Sequence, residues 1–170
     1  TPDPTLYPAT DRDERSTEFY LRDALQLGPT VGLWIGLRHT RLQRRSVMTD
    51  GSAATDYTSR FTTPWLGGSW EFAVGHRVHA SWGQGVESDV VPNLPGYDRP
   101  GQGLPPRKSR QSEIGYRHGG ERLGAGLTVF RIDQPAFTDT GSSVLPDGVQ
   151  RHVGLEADAR ALLGRWTLAG

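Results

Sequence analysis

The chain contains no cysteine, which excludes a disulfide framework, a thiolate metal site and a cysteine nucleophile. It carries no net charge, because 19 basic and 19 acidic residues cancel. No electrostatic footprint for a nucleic-acid partner is therefore present. Only one basic residue, Lys108, is lysine; the rest are arginine. No apolar run approaches the ~20 residues that a membrane-spanning helix needs, and the mean hydropathy is −0.54. Neither fact bears on strands, since a membrane strand needs only ~9–11 residues and shows lipid every second side chain. The first residues, Thr1-Pro2-Asp3-Pro4, have neither the basic nor the apolar stretch of a secretory leader. The expectation is a processed precursor or a piece of a longer protein. A length of 170 residues fits a single domain spanning 1–170.

What is present is an alternation of short and long gaps. Tight turns are expected near Leu27-Gly28-Pro29, Val74-Gly75-His76, Gly119-Gly120 and Leu163-Gly164. Between them lie three long polar stretches, Arg44–Tyr57, Ser88–Arg107 and Asp133–Val149. Residues 1–15 are rich in Pro and Asp and read as loop. Strands are then expected over Ser16–Leu27, Thr30–Leu42, Thr58–Trp70, Arg77–Gly85, Ser109–His118, Leu123–Ile132 and Gln150–Arg160, with an eighth beginning at Trp166. The clearest is the second. Val31, Leu33, Ile35 and Leu37 share one face; Gly32, Trp34, Gly36 and Arg38 share the other, a period of two that marks a sheet with unlike faces. Asp23 breaks the apolar parity of the first strand. Pro64, which has no N–H for a ladder, predicts a distortion or bulge in the third.

Both charge signs occur on the polar parity, at Arg38, Glu113, Arg117, Glu156, Asp158 and Arg160. A water-filled or plugged lumen accepts such a face, and so does a soluble sheet with one solvated side. Three features favour the membrane. The short–long asymmetry of the connections suits a barrel with trimmed turns at one end and long loops at the other. The tryptophans Trp34, Trp65, Trp70, Trp82 and Trp166 lie in or beside strands, where aromatic girdles would use them, although core positions would use them equally. No helical periodicity supplies a cover for the apolar face, which must then pair with a second sheet, close on itself or meet lipid. The fold class expected is all-β: an open antiparallel up-and-down meander of about eight strands within a larger transmembrane barrel.

Several segments carry a resemblance. Ser81-Trp82-Gly83-Gln84-Gly85-Val86-Glu87 leads into a Pro/Gly-rich loop, followed by Gly103-Leu104-Pro105-Pro106-Arg107-Lys108-Ser109-Arg110-Gln111-Ser112-Glu113-Ile114-Gly115-Tyr116. Glu18–Asp23, Leu33–Arg38, Thr62–Trp65, Val129–Ile132 and Gly154–Glu156 agree in order and spacing. Together these resemble the barrel of TonB-dependent siderophore receptors. The resemblance implies a barrel of about 22 strands with a plugged lumen, located in the cell outer membrane of a Gram-negative bacterium. It implies uptake of a ferric siderophore and coupling to the TonB complex through an N-terminal plug. This sequence shows no plug, no TonB box and no terminal aromatic residue, so a middle-to-late barrel fragment is expected. The alternatives are a soluble or surface β-domain that binds carbohydrate or protein, and a passive porin-type barrel piece.

No nucleophile–base–orienter set is recognisable, so no catalytic residue, enzyme activity or cofactor is expected. His76 and His79, three apart on a strand, point to opposite faces and should not chelate together. Gly124-Ala125-Gly126 lacks the strand-to-helix setting of a phosphate loop. Asp50-Gly51 and Asp147-Gly148 read as turns, and no resident metal site is expected. If the chain is a receptor, arginine and aromatic side chains suit an anionic chelate. Tyr97, Arg99 and Arg107 in the longest loop, with Phe137 behind them, are the candidate ligand contacts. Arg38, Gln111, Glu113, Arg117, Glu156 and Asp158 are the expected lumen-facing wall residues. Ordinary loop surface and a self-satisfied wall are the competing readings of these two groups.

Overall fold

In the computed structural model, residues 10–48, 55–92, 94 and 96–170 are described. They form eight strands: β1 (Thr10–Leu27), β2 (Val31–Met48), β3 (Thr55–Ala73), β4 (His76–Glu87), β5 (Arg107–Gly119), β6 (Leu123–Asp139), β7 (Val144–Leu163) and β8 (Trp166–Ala169). They build one antiparallel sheet in the order β1-β2-β3-β4-β5-β6-β7-β8. Every strand contacts only its sequence neighbours, so β1 and β8 do not meet and no second layer covers the sheet among the described residues.

Register makes the two faces unlike across the whole sheet. One continuous row runs Leu21–Leu37–Pro64, and another runs Val78–Tyr116–Leu127–Ala157. These rows belong to a face of Leu, Val, Ile, Ala, Trp and Tyr on which none of the described residues packs as a second layer. Phe19 is 70% exposed, Ile114 62% and Val153 67%. Among the described residues the buried apolar side chains are only Leu42 and Val91. The sheet therefore has no hydrophobic core, and the transfer energy that usually stabilises a fold is unspent on that face. Asp23 does fall there, opposite Ile35, and accepts the N–H of Ala24 at 2.8 Å.

The strands are longer than their alternating segments. Residues 10–15, expected as loop, belong to β1, and β2 runs six residues past Leu42 to Met48. Ion pairs hold these polar extensions together: Arg44 with Glu14 at 2.6 Å and Arg45 with Asp56 at 2.9 Å. The stretch Asp133–Val149, expected as a long loop, is mostly strand, and the β6–β7 connection is the short segment 140–143. Asp147-Gly148 is not a turn. Pro135 pairs with Val149 and Phe137 with Pro146, so two β7 residues oppose one on β6, and Gly148 takes φ 78° in that bulge. Asp50-Gly51 lies outside the described residues.

Pro64 causes no register shift against β2, where it pairs with Leu37. The β3–β4 ladder starts at Trp65, so the missing donor stands at the ladder's end rather than inside it. The β3 irregularity falls instead between Glu71 and Ala73.

The row Asp23–Ile35–Leu66–Trp82–Ser112–Arg131–Val153 fixes the slant of the strands. It lies four residues from the short-turn end of β1 and ten from that of β7. A climb of roughly six residues at ~3.3 Å, over six interstrand steps of ~4.8 Å, corresponds to an inclination of about 35°. That matches the ~35–45° tilt of membrane barrels.

On the opposite, polar face, wide side chains lie over glycines of the neighbouring strand. Trp65 covers Gly36, Trp34 covers Gly67, and Phe130 covers Gly154; a Cβ on any of these glycines would overlap the ring. Trp34 and Trp65 thus belong to this face and not to an outward girdle. Trp70, Trp82 and Trp166 share the apolar face.

Candidate ligand site at the long-loop end

Segment 88–106 is the one long connection among the described residues. It folds on itself through a Val90–Gly103 bridge and hydrogen bonds from Val91 N–H to Gln102 O (2.9 Å) and from Leu104 N–H to Asp89 O (2.9 Å). Val91, within this segment, is buried. The loop is latched to the β6–β7 turn. Asp98 N–H donates to Ser142 O at 2.9 Å, and the Ser143 hydroxyl donates to Asp98 Oδ2 at 2.9 Å. The Tyr97 hydroxyl donates to both carboxylate oxygens of Asp139, at 2.9 and 2.7 Å. The Gly141 N–H and the Tyr97 hydroxyl hold the Asp139 carboxyl below its ordinary range; the same bond raises the Tyr97 phenol.

Between this loop, β3 and the β6–β7 turn lies a cavity of ≈ 970 Å³. Tyr57, Val91, Arg99, Gln102, Leu104 and Leu145 are among its lining residues. Tyr57 is braced on three sides. Gly103 lies against its ring, the Arg44 guanidinium stands 5.7 Å from its centroid, and its hydroxyl is 3.1 Å from Ser88 Oγ.

Of the four candidate contacts, only Arg99 lines this cavity. Tyr97 is occupied by Asp139. Arg107 pairs with Glu87 at 3.1 Å and Asp89 at 3.2 Å, with its guanidinium 5.5 Å from the Phe137 ring centroid. The Arg107 Nε is buried and has no hydrogen-bond partner. Tyr97, Arg107 and Phe137 therefore hold the loop base together, and Tyr57 is the aromatic residue the sequence reading missed. It stands at the edge of a polar stretch, where no periodicity singles it out.

Arg38, Gln111, Glu113, Arg117, Glu156 and Asp158 all fall on the polar face by register. Arg117 and Asp158 meet at 3.4 Å. His76 and His79 do lie on opposite faces. His76 pairs with His118 on the apolar face, ring centroids 4.5 Å apart, whereas His79 covers Gly115 on the polar one.

A family model described as "TonB dependent receptor-like, beta-barrel" matches residues 1–170. The chain belongs to the TonB-dependent receptor β-barrel family. Members are outer-membrane receptors and transporters of Gram-negative bacteria rather than a class of enzymes. Three solved structures are similar to this receptor barrel chain. The ferric preacinetobactin receptor BauA of Acinetobacter baumannii is 24% identical with a TM-score of 0.74, over 95% of this chain and 25% of that one. The alcaligin outer-membrane receptor FauA of Bordetella pertussis is 20% identical with a TM-score of 0.77, over 97% and 30%. The ferric-catecholate import receptor Fiu of E. coli K12 is 14% identical with a TM-score of 0.77, over 92% and 26%. The receptor barrel chain thus spans only about a quarter to a third of the length of these structures. No curated protein matches it by sequence.

Proposed function

We propose that this protein is an outer-membrane receptor that takes up ferric siderophores. Energy would reach it from the TonB complex through an N-terminal plug, and the membrane would be the outer membrane of a Gram-negative bacterium. The observation that carries the reading is a single-layer sheet with one uncovered apolar face, joined to a walled cavity at its long-loop end. The apolar face meets acyl chains. The polar face, with Arg38, Gln111, Glu113, Arg117, Glu156 and Asp158, meets the lumen. Transport of this kind needs binding and release but no covalent step.

Arg99 and Tyr57 are the cavity groups suited to an anionic, aromatic-rich chelate, through charge-assisted hydrogen bonds and stacking. Tyr97, Arg107 and Phe137 would act by keeping the loop over the cavity. Among the described residues no three His, Asp or Glu side chains are grouped to hold a metal. Iron therefore suits the site as a chelate formed elsewhere.

The test is binding of a panel of ferric siderophores, haem and cobalamin to the purified full-length protein, followed by tryptophan fluorescence. A ferric siderophore is expected to bind, and Arg99→Ala is expected to weaken it roughly tenfold, about 1.4 kcal/mol. Binding of haem or cobalamin with no response to any siderophore would reassign the cargo. Ungated ion conductance in a planar bilayer would favour a passive pore instead.

A further inference from the structure

The last rung of the β4–β5 ladder, at the short-turn end, is a pair of histidines. His76 stands directly opposite His118 on the apolar face, with ring centroids 4.5 Å apart. The chain joins β4 to β5 only at the far end, through segment 88–106. At this end the two strands belong to separate hairpins, which turn at 74–75 and 120–122. A backbone bond from Gly119 N–H to Gly75 O, at 2.7 Å, links the two turns beside the imidazole pair.

Each ring is held in place. The Tyr116 hydroxyl lies 2.7 Å from His76 Nδ1, which leaves Nε2 as that ring's other nitrogen. Gly120 makes room for the second ring, since a Cβ there would stand 3.0 Å from His118 Nε2. His118 Nδ1 is buried and has no hydrogen-bond partner among the described residues. A buried nitrogen in that state calls for a water or an ion. The same-face neighbours Val78, Tyr116, Ala125 and Phe72 carry no charge. Charges close by are balanced. On the polar face Arg77 pairs with Glu71 at 3.0 Å and Arg117 with Asp158 at 3.4 Å. The turn after His118 adds Glu121 and Arg122, one of each sign.

We infer that His76 and His118 form a binding site for a divalent transition-metal ion of the zinc class, which clips the two hairpins together at the short-turn rim. Imidazole nitrogen suits zinc and copper ions. At a Zn–N distance of ~2.0–2.1 Å, two imidazoles on one tetrahedral ion have ring centroids roughly 5 Å apart. A small opening of the 4.5 Å pair reaches that spacing. His76 binds through Nε2 and His118 through its unpartnered Nδ1, and water completes the coordination. With Nε2 on the ion, His76 Nδ1 carries the proton and donates it to the Tyr116 hydroxyl. Tyr116 is therefore a positioning residue, fixing the tautomer and the tilt of the ring. His79, on the polar face, takes no part. The clip is independent of the cargo and of the cavity at the other end.

The test uses the full-length receptor in detergent, stripped of metal with a chelator and titrated with Zn2+ by calorimetry. The parent is expected to bind one equivalent more than either His76→Gln or His118→Gln, and His79→Gln should bind as much as the parent. Tyr116→Phe should keep that equivalent but hold it roughly tenfold more weakly. Zn2+ should also slow amide exchange at the end of β4–β5, around Arg77 and Arg117, in the parent and in neither His76→Gln nor His118→Gln. Equal Zn2+ uptake by the parent and both of these variants would overturn the inference. So would an equivalent lost in only one of them, because the ion would then not bridge the strands. Folding of each variant is read by heat-modifiable migration. If the histidine variants do not fold, exchange in the parent decides alone, and a β4–β5 end that Zn2+ leaves unprotected refutes the clip.

Discussion

The two ends of this sheet solve one problem in different ways. At the short-turn end, strands reverse within a few residues, at 28–30, 74–75, 120–122 and 164–165. The boundary there is aromatic: Phe72 lies 5.8 Å from His76, and His76 4.5 Å from His118. At the long-loop end the strands run on past the apolar band as polar ladders tied by Arg44–Glu14 and Arg45–Asp56. Where β4 and β5 are short, loop 88–106 takes up the chain and frames the cavity. One end is built from ring packing and tight backbone reversal, the other from charge pairs and a latched loop. Elaboration at one end with economy at the other fits the proposed uptake, in which the long-loop side is the one that receives the chelate.

The comparison breaks most sharply along a single strand. Leu127 lies on the apolar face and Thr128 beside it on the polar face. Leu127→Arg should destabilise the full-length barrel by about 2–4 kcal/mol if it sits near the bilayer midplane, and Thr128→Arg much less. Urea unfolding in lipid vesicles reads the difference, and equal losses would remove the membrane-facing assignment. A smaller effect is expected from Gly36→Val, whose side chain would meet the Trp65 indole. Overpacking of that kind costs about 1–3 kcal/mol. Gly28→Val, at φ 71° in an open turn with nothing near its side, tests strain without packing and separates the two causes.

The smallest effect concerns the latch. Tyr97→Phe removes both bonds to Asp139, and hydrogen exchange over 88–106 should quicken while exchange in β2 is unchanged. Asp139 has its folded pKa depressed, so its contribution is complete above the ordinary carboxylate range and is lost as pH falls through the lower folded value. Loop protection, corrected for the intrinsic pH dependence of exchange, should therefore fall as pH drops below the ordinary carboxylate range in the parent, and fall less in the Phe variant, where the Gly141 N–H still holds the Asp139 carboxyl. Loop protection that is independent of pH would show that the backbone bonds to Ser142 suffice.

The fold was legible wherever one face is apolar, because a period of two is visible only when the faces differ. Val31–Leu37 and Leu123–Val129 are cases. It was illegible where both faces are polar. Thr10–Arg15 and Gln43–Met48 carry no alternation, and their pairing depends on partners on other strands, such as Glu14, 30 residues from Arg44. Trp34 and Trp65 misled for a related reason. Their parity was readable, but indole suits lipid interfaces and glycine beds alike. At the site, Arg99 was legible as a cation in a long loop, whereas the internal employment of Tyr97 and Arg107 is set by Asp139, Glu87 and Asp89. Chain order does not reveal which carboxylate folds back to meet which donor.

Alternation of faces forbids a strand from sliding by one residue, since every side chain would change sides. It is blind to a slide of two. The indoles of Trp34 and Trp65 settle that second question, each resting in the vacancy left by a glycine on the other's strand, at Gly67 and Gly36. A two-residue slide would drive both rings into occupied positions, so β2 and β3 mesh like a tooth and notch and hold their setting by shape.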